Sequence, residues 1–305
     1  MGKNVSLGQH ILWKIKKANK GIALLKFLSR YTNRRVLDQL YKMYVRPHLD
    51  YGDVIYHEQL LNSMDLLESV QYQAALVVSG CWQGTNRVKV YQELGWESLK
   101  DRRHYRRLVY YYKILNNLTP AYLRECITDV PVNITKCFSN SFFPYCHKHW
   151  NNLSASIKSS VSLSIFKKAL LKTVRPIARP CFNLIDNHGL ARLTQLCVGF
   201  SDLREHRYRH HFNCLSPTCS CGIEDESTRH FLLHCNKYAN HRLKLLSQLN
   251  SLAPGVTSLD PSLLLDILLY GSKDYSDVIS CSIVTSTITF IKDTKRFHRL
   301  EAFST

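Results

Sequence analysis

Four residues, Cys219, Cys221, His230 and Cys235, are spaced C-x-C-x8-H-x4-C. No other feature restricts the local chain as much. If all four meet on one ion, the first two lie on one tight turn and the last two must return to it. Gly222 directly follows the second cysteine, where a sharp turn needs a permissive residue. The stretch "HFLLHC" predicts the start of a helix that aims His230 and Cys235 back at that turn. Zinc, which prefers four soft or borderline ligands in a tetrahedron, is the candidate ion, and four ligands leave it a structural role. Cys214 and His234 are competitors for a ligand position. The spacing also has a second reading, small buried cysteines beside a hydrogen-bonded histidine.

The 305 residues carry 41 basic and 23 acidic side chains, a net charge of +18. A field of that sign attracts polyanions, so nucleic acid or an anionic membrane surface heads the list of partners. Eleven cysteines are an odd number without a secretory signal. That pattern predicts a reduced, intracellular protein rather than a disulfide scaffold. The weakly polar run Val278–Ile291 is too short to span a bilayer, so no transmembrane segment is expected. "MGKNVS" fits the myristoylation pattern, with Gly2 as acceptor and Ser6 in place. A basic region, Lys14–Arg35, follows it, and an acyl chain plus a polybasic patch makes a two-signal membrane anchor.

Helical periodicity dominates. Ile11, Ile15, Ala18, Ile22 and Leu25 place one apolar face on a helix over Gln9–Arg30. Ten basic residues and one acid, Asp38, lie between Lys14 and Arg46. A second helix from about Asn33 meets Pro47, which should kink or end it. Further helices are predicted over Asn62–Gly80, Thr85–Leu94, Ser98–Asn116, Ser162–Val174, Leu190–Leu203, Asn240–Leu252, Asp260–Leu269 and Asp277–Arg296. In Ser98–Asn116, Tyr105, Leu108, Tyr112 and Leu115 share one face. Arg102, Arg103, Arg106, Arg107 and Lys113 fall opposite, with Tyr110 among them. Such a face suits nucleic-acid backbone contact, or it is a solvated face whose arginine stems cover apolar surface. Residues 128–161 are expected to form a connecting region docked by its aromatics.

No nucleotide-binding loop, zinc-protease pair or serine elbow is present. Asp50 and Asp53 in "HLDYGDVIY" are the nearest paired carboxylates, and helix capping or a salt bridge is their expected use.

Several segments together resemble the region C-terminal to the polymerase core in jockey-like non-LTR (LINE-type) retrotransposon reverse transcriptases. They are "KIKKANKGIALLKFL", "YKMYVRPHLDYGDVIY", "ESVQYQAALVVSGCWQGTNRVKVYQELGWESLKDRRHYRRLVYYYKI", "NSFFPYCHKHWNNL", "SLSIFKKALLKTVRP", "LREHRYRHHFNCLSPTCSCGIEDESTRHFLLHC" and "TITFIKDTKRF". The resemblance runs from about His10 to Phe297.

It implies a mostly α chain: a helical thumb-like nucleic-acid-binding region (1–127), an aromatic-rich connection (128–161) and an α-rich C-terminal domain (162–305). The last carries a small zinc-knuckle-like element at 219–235, and Cys219, Cys221, His230 and Cys235 each fall on a position of the family's motif. The family's palm, with the carboxylates that hold magnesium, lies upstream of "KANKGI". The resemblance therefore implies a truncated RNA-directed DNA polymerase without catalytic activity, binding template RNA and target or primer DNA. Lys14, Lys16, Lys17, Lys20, Arg102, Arg103, Arg106 and Arg107 are the expected phosphate contacts, supplying position and affinity rather than sequence readout. No small-molecule substrate is expected. Two other readings stand beside this one: a myristoylated membrane-surface adaptor, and a pseudogene remnant without a role. Under the resemblance, Met1 marks a start within a decayed element copy.

Overall fold

The computed structural model describes residues 7–54, 61–128, 141–172 and 186–297. Gly2 and Ser6 of the acylation pattern lie outside them. The described regular structure is almost entirely helical, with one isolated antiparallel bridge between Thr218 and Asp225. The mostly α expectation is met.

In chain order the helices are α1 (Leu7–Leu28), α2 (Arg34–Leu40), α3 (Arg46–Asp50), α4 (Leu61–Ser79), α5 (Arg87–Leu94), α6 (Leu99–Leu115) and α7 (Tyr122–Thr128). After them come α8 (Phe142–Asn151), α9 (Ala155–Lys158), α10 (Leu163–Lys172), α11 (Asn187–Val198), α12 (Arg204–Arg209), α13 (Ala239–Leu252), α14 (Pro261–Tyr270) and α15 (Asp277–Asp293). Pro47 does not stop its helix. A wide π-helical turn, Tyr41–Val45, precedes it, and Pro47 sits at the start of α3. A proline clashes with the carbonyl four residues back, here Met43 inside the widened turn.

The chain divides into two compact units that interleave in sequence. One comprises residues 1–25, 40–74 and 95–177; the other comprises 26–39, 75–94 and 178–305. The sequence-based boundaries at 127 and 161 do not follow this division.

In the first unit, α6 is the central helix. Ser98 caps it by accepting from the Asp101 N–H. Leu108, Val109 and Tyr112 pack with Phe166 and Leu170 of α10, with Trp150 of α8 against the cluster. The Tyr112 and Phe166 rings stack with centroids 4.4 Å apart. In the described part of the connecting region the aromatics are half-buried: Trp150 packs against this cluster, and Phe142 meets Tyr110 of α6 edge-on at 6.1 Å.

In the second unit, α15 packs against α11, α13 and α14 around Leu249, Leu268, Ile283 and Ile288. The guanidinium of Arg34 explains why the two early segments belong here. It is fully buried and donates to Thr194 Oγ1 at 2.7 Å and to the Ser79 carbonyl at 2.8 Å. Its ion pair with Glu93 is 3.3 Å long. A buried charge is tolerated only when paired and hydrogen-bonded, so one residue of α2 holds α4, α5 and α11 together. Gly80 ends α4 with φ +71° and lies so close to Ala191 that a Cβ there would overlap its methyl.

Candidate metal centre and basic surfaces

The Cys/His stretch folds into a short hairpin followed by one turn. Cys219 N–H donates to the Glu224 carbonyl and Gly222 N–H to the Cys219 carbonyl, both at 2.9 Å. Gly222 adopts φ +78°. These bonds fix Cys219 and Cys221 on one tight loop. His230–His234 is a single π-turn rather than the start of an α-helix, and the Cys235 N–H closes it on the His230 carbonyl at 2.8 Å. A 3-10 turn, Asn236–Tyr238, then leads into α13.

One ligand atom from each of Cys219, Cys221, His230 and Cys235 lies within 4.8 Å of the other three, a set that can hold a metal ion. Cys219 Sγ is 3.7 Å from Cys235 Sγ, and Cys221 Sγ is 3.2 Å from His230 Nε2. A tetrahedral ion with metal–sulfur bonds of about 2.3 Å separates two thiolates by about 3.8 Å. The donor set therefore fits such an ion in composition and spacing. Cys214 instead bonds backbone carbonyls of Arg204 and Ser216, and His234 is exposed; neither belongs to the cluster.

Groups around the ligands support it. His230 Nδ1 lies 2.8 Å from Glu224 Oε1, which leaves Nε2 aimed at the sulfurs. Carboxylate partners of this kind fix the ring and its tautomer. A backbone N–H from Ile223 brings the Cys221 thiol down to about 7, with contacts from Cys219, His230 and Cys235 adding to it. Burial pushes Cys235 up to about 11, against an N–H bond from Lys237. Arg242 Nε and Nη2 bind the carbonyls of Leu232 and Cys235 at 2.9 and 2.7 Å, bracing the π-turn. Glu224 and Arg242 escaped the sequence reading. The signal for Glu224 was the acidic run "EDE" inside a basic chain, between the second and third ligands.

The eight expected phosphate contacts divide sharply. Lys16, Lys17 and Lys20 are exposed on α1, beside Trp13 at 52% exposure. The Lys17 ammonium lies 5.5 Å from the Trp13 ring centroid, and His10 stacks on the same indole. Lys14 is a correction: it is 1% exposed and donates to the Tyr51 carbonyl at 2.7 Å. The buried seam of α1 runs through Ile11, Lys14, Ala18, Gly21 and Leu25, and Ile15 sits beside it. Desolvation lowers the Lys14 ammonium to about 8, against the fields of Asp53 and Asp50.

The α6 arginines require a larger correction. Arg102 is buried, 3.1 Å from Asp50 and 2.6 Å from Gln71 Oε1. Arg106 bridges Asp50 and Asp53 at 2.5 and 2.7 Å. Arg107 is buried, bonded to the Val54 carbonyl and stacked on Tyr145 at 4.7 Å. Arg103 is half-buried. Helical periodicity counts arginine as outward-facing, but the carboxylates that neutralise Arg102 and Arg106 come from the last residue of α3 and the turn after it. Asp50 and Asp53 thus serve salt bridges, one of the uses expected. Burial opposes Asp50 ionisation, but Arg102 and Arg106 outweigh it and hold the carboxyl below its ordinary range. For Asp53 burial wins, and its pKa is raised.

No family model, curated protein or solved structure matches the chain. Among the described residues, no helix is long and apolar enough to cross a membrane.

Proposed function

We propose that the chain is a non-catalytic nucleic-acid-binding fragment of a jockey-like non-LTR retrotransposon reverse transcriptase, with structural zinc in the Cys219–Cys221–His230–Cys235 set. The observation that carries the binding role is the outer face of α1. There Lys17 lies over the exposed Trp13 ring, Lys16 and Lys20 are exposed on the same helix, and the helix carries no acidic residue. Ammonium groups neutralise phosphates, and an indole offers a stacking platform for an unpaired base, so RNA or single-stranded DNA is the favoured ligand. Three sulfurs and one imidazole nitrogen suit zinc better than a hard cation, and four protein ligands would leave the ion a structural role.

The test is equilibrium binding of single-stranded RNA and DNA across a salt series, with Lys16→Gln/Lys17→Gln/Lys20→Gln as the variant. Wild type should lose affinity steeply with salt, and the variant's log–log slope should be shallower by about 2. An unchanged slope, or binding to anionic vesicles without binding to nucleic acid, overturns the reading. Primer extension with Mg²⁺ should yield no product; synthesis would overturn the non-catalytic part.

A further inference from the structure

A cleft of about 810 Å³ opens beside the Cys/His hairpin in the second unit. Arg204, Arg207, Lys237, Lys295 and Arg296 line it, against two acids, Asp202 and Glu226. The acids do not cancel the cations. Glu226 is already matched: Arg296 Nε and Nη2 reach its two oxygens at 2.7 and 2.6 Å, and the Arg204 N–H adds a third bond at 2.9 Å. Asp202 faces a cation of its own, Arg192 at 3.6 Å.

The remaining cations are poised differently. Lys237 and Lys295 are exposed, and their ammonium groups have no polar partner among the described residues. Arg204 Nη1 makes one bond, to the Thr218 carbonyl at 3.2 Å. The backbone beneath them is fixed: Lys237 N–H bonds Cys235 Sγ, and Lys295 follows the end of α15 with φ +49°. Residues in that left-handed region are uncommon outside glycine and persist where the surrounding structure holds them. A pre-positioned cationic rim over a neutralised floor selects a multiply charged anion, and phosphate oxygens match both the arginine fork and the lysine ammonium.

We propose that this cleft is a phosphate-binding site, with Lys237, Lys295 and Arg204 as its principal contacts. It rests on the nucleic-acid reading only for the source of the phosphate, a strand's end, its internal phosphodiesters or a free polyphosphate.

The experiment is calorimetric titration of the zinc-loaded full chain with inorganic tripolyphosphate, and with one short oligonucleotide bearing or lacking a 5′-phosphate. The variant is Lys237→Gln/Lys295→Gln, and the triple α1 variant is the reference. Tripolyphosphate should bind wild type and the α1 variant equally, and the cleft variant at least about tenfold more weakly, with an unchanged thermal melt. A preference for the 5′-phosphorylated strand that the cleft variant loses supports end recognition. Equal losses for both strands support internal phosphodiesters. Loss of tripolyphosphate binding in the cleft variant, when wild type binds no strand, supports a free polyphosphate and removes the nucleic-acid reading alone. Wild-type affinity of the cleft variant for every phosphate ligand overturns the site, as does a wild type that ignores tripolyphosphate.

Discussion

Arg102 and Asp50 face each other 3.1 Å apart, with side chains only 5% and 11% exposed. They lie on helices far apart in sequence. Breaking a buried pair leaves an uncompensated charge, which costs more than the pair itself contributes. Asp50→Asn should therefore destabilise the chain by about 3 kcal/mol in urea unfolding, while Lys16→Gln should change stability by less than about 0.5 kcal/mol. Equal effects would contradict the division between inner and outer cations.

Glu224 is 51% exposed yet touches a buried ring, so its role in the metal site can be separated from its role in folding. Glu224→Gln should weaken metal affinity by roughly 10–100-fold in a chelator competition, with the helical circular dichroism unchanged. Cys221→Ser should lose the metal outright under the same competition. A variant at position 224 with wild-type affinity would mean that the carboxylate does not orient the imidazole.

Gly80→Ala meets two obstacles, a positive φ and the adjacent Ala191 methyl. The expected cost is about 2–4 kcal/mol, read from chemical denaturation. Gly222 also has a positive φ but open space around it, so Gly222→Ala should cost less.

His206 is held neutral. Burial lowers its pKa from 6.5 to about 4, and His210 and Lys89 add to the effect while Glu226 opposes it. Its Nδ1 shares a 2.8 Å hydrogen bond with Ser201 Oγ, and Glu205 lies 3.5 Å from Nε2. A histidine with a lowered folded pKa contributes fully above the unfolded value. That contribution falls as pH drops from about 6.5 toward 4, because the unfolded chain takes up the proton first. Over this window, wild type should lose about 3 kcal/mol relative to His206→Asn. Parallel pH profiles for the two proteins would refute the assignment.

Sequence periodicity located α6 within one residue at each end, because the Ser98 cap and the aromatic spacing are local signals. The four candidate ligands are legible for the same reason: a turn and a short gap encode their meeting. What failed was the facing of charged residues. Lys14 looked like one lysine among many, and only the carbonyls of Leu49 and Tyr51 show why it turns inward. Arg102 and Arg107 read as outward-facing because their partners lie between 31 and 61 residues away in the chain. The interleaving of the two units was hidden likewise, since it depends on where the buried Arg34 guanidinium finds Glu93 and Thr194.

The π-turn at His230–His234 makes the last gap of the Cys/His set a measured length. On a regular α-helix, five residues overshoot a full revolution by about 140°, which would carry Cys235 off the ligand face. The wider turn reduces that overshoot, and the Cys235 N–H closes it on the His230 carbonyl. Related chains should therefore tolerate changes of identity at the exposed His234 but not the loss or gain of a residue in the turn, whereas Leu233 packs against the core of the second unit. A deletion would leave every ligand in the sequence and still leave the ion one ligand short.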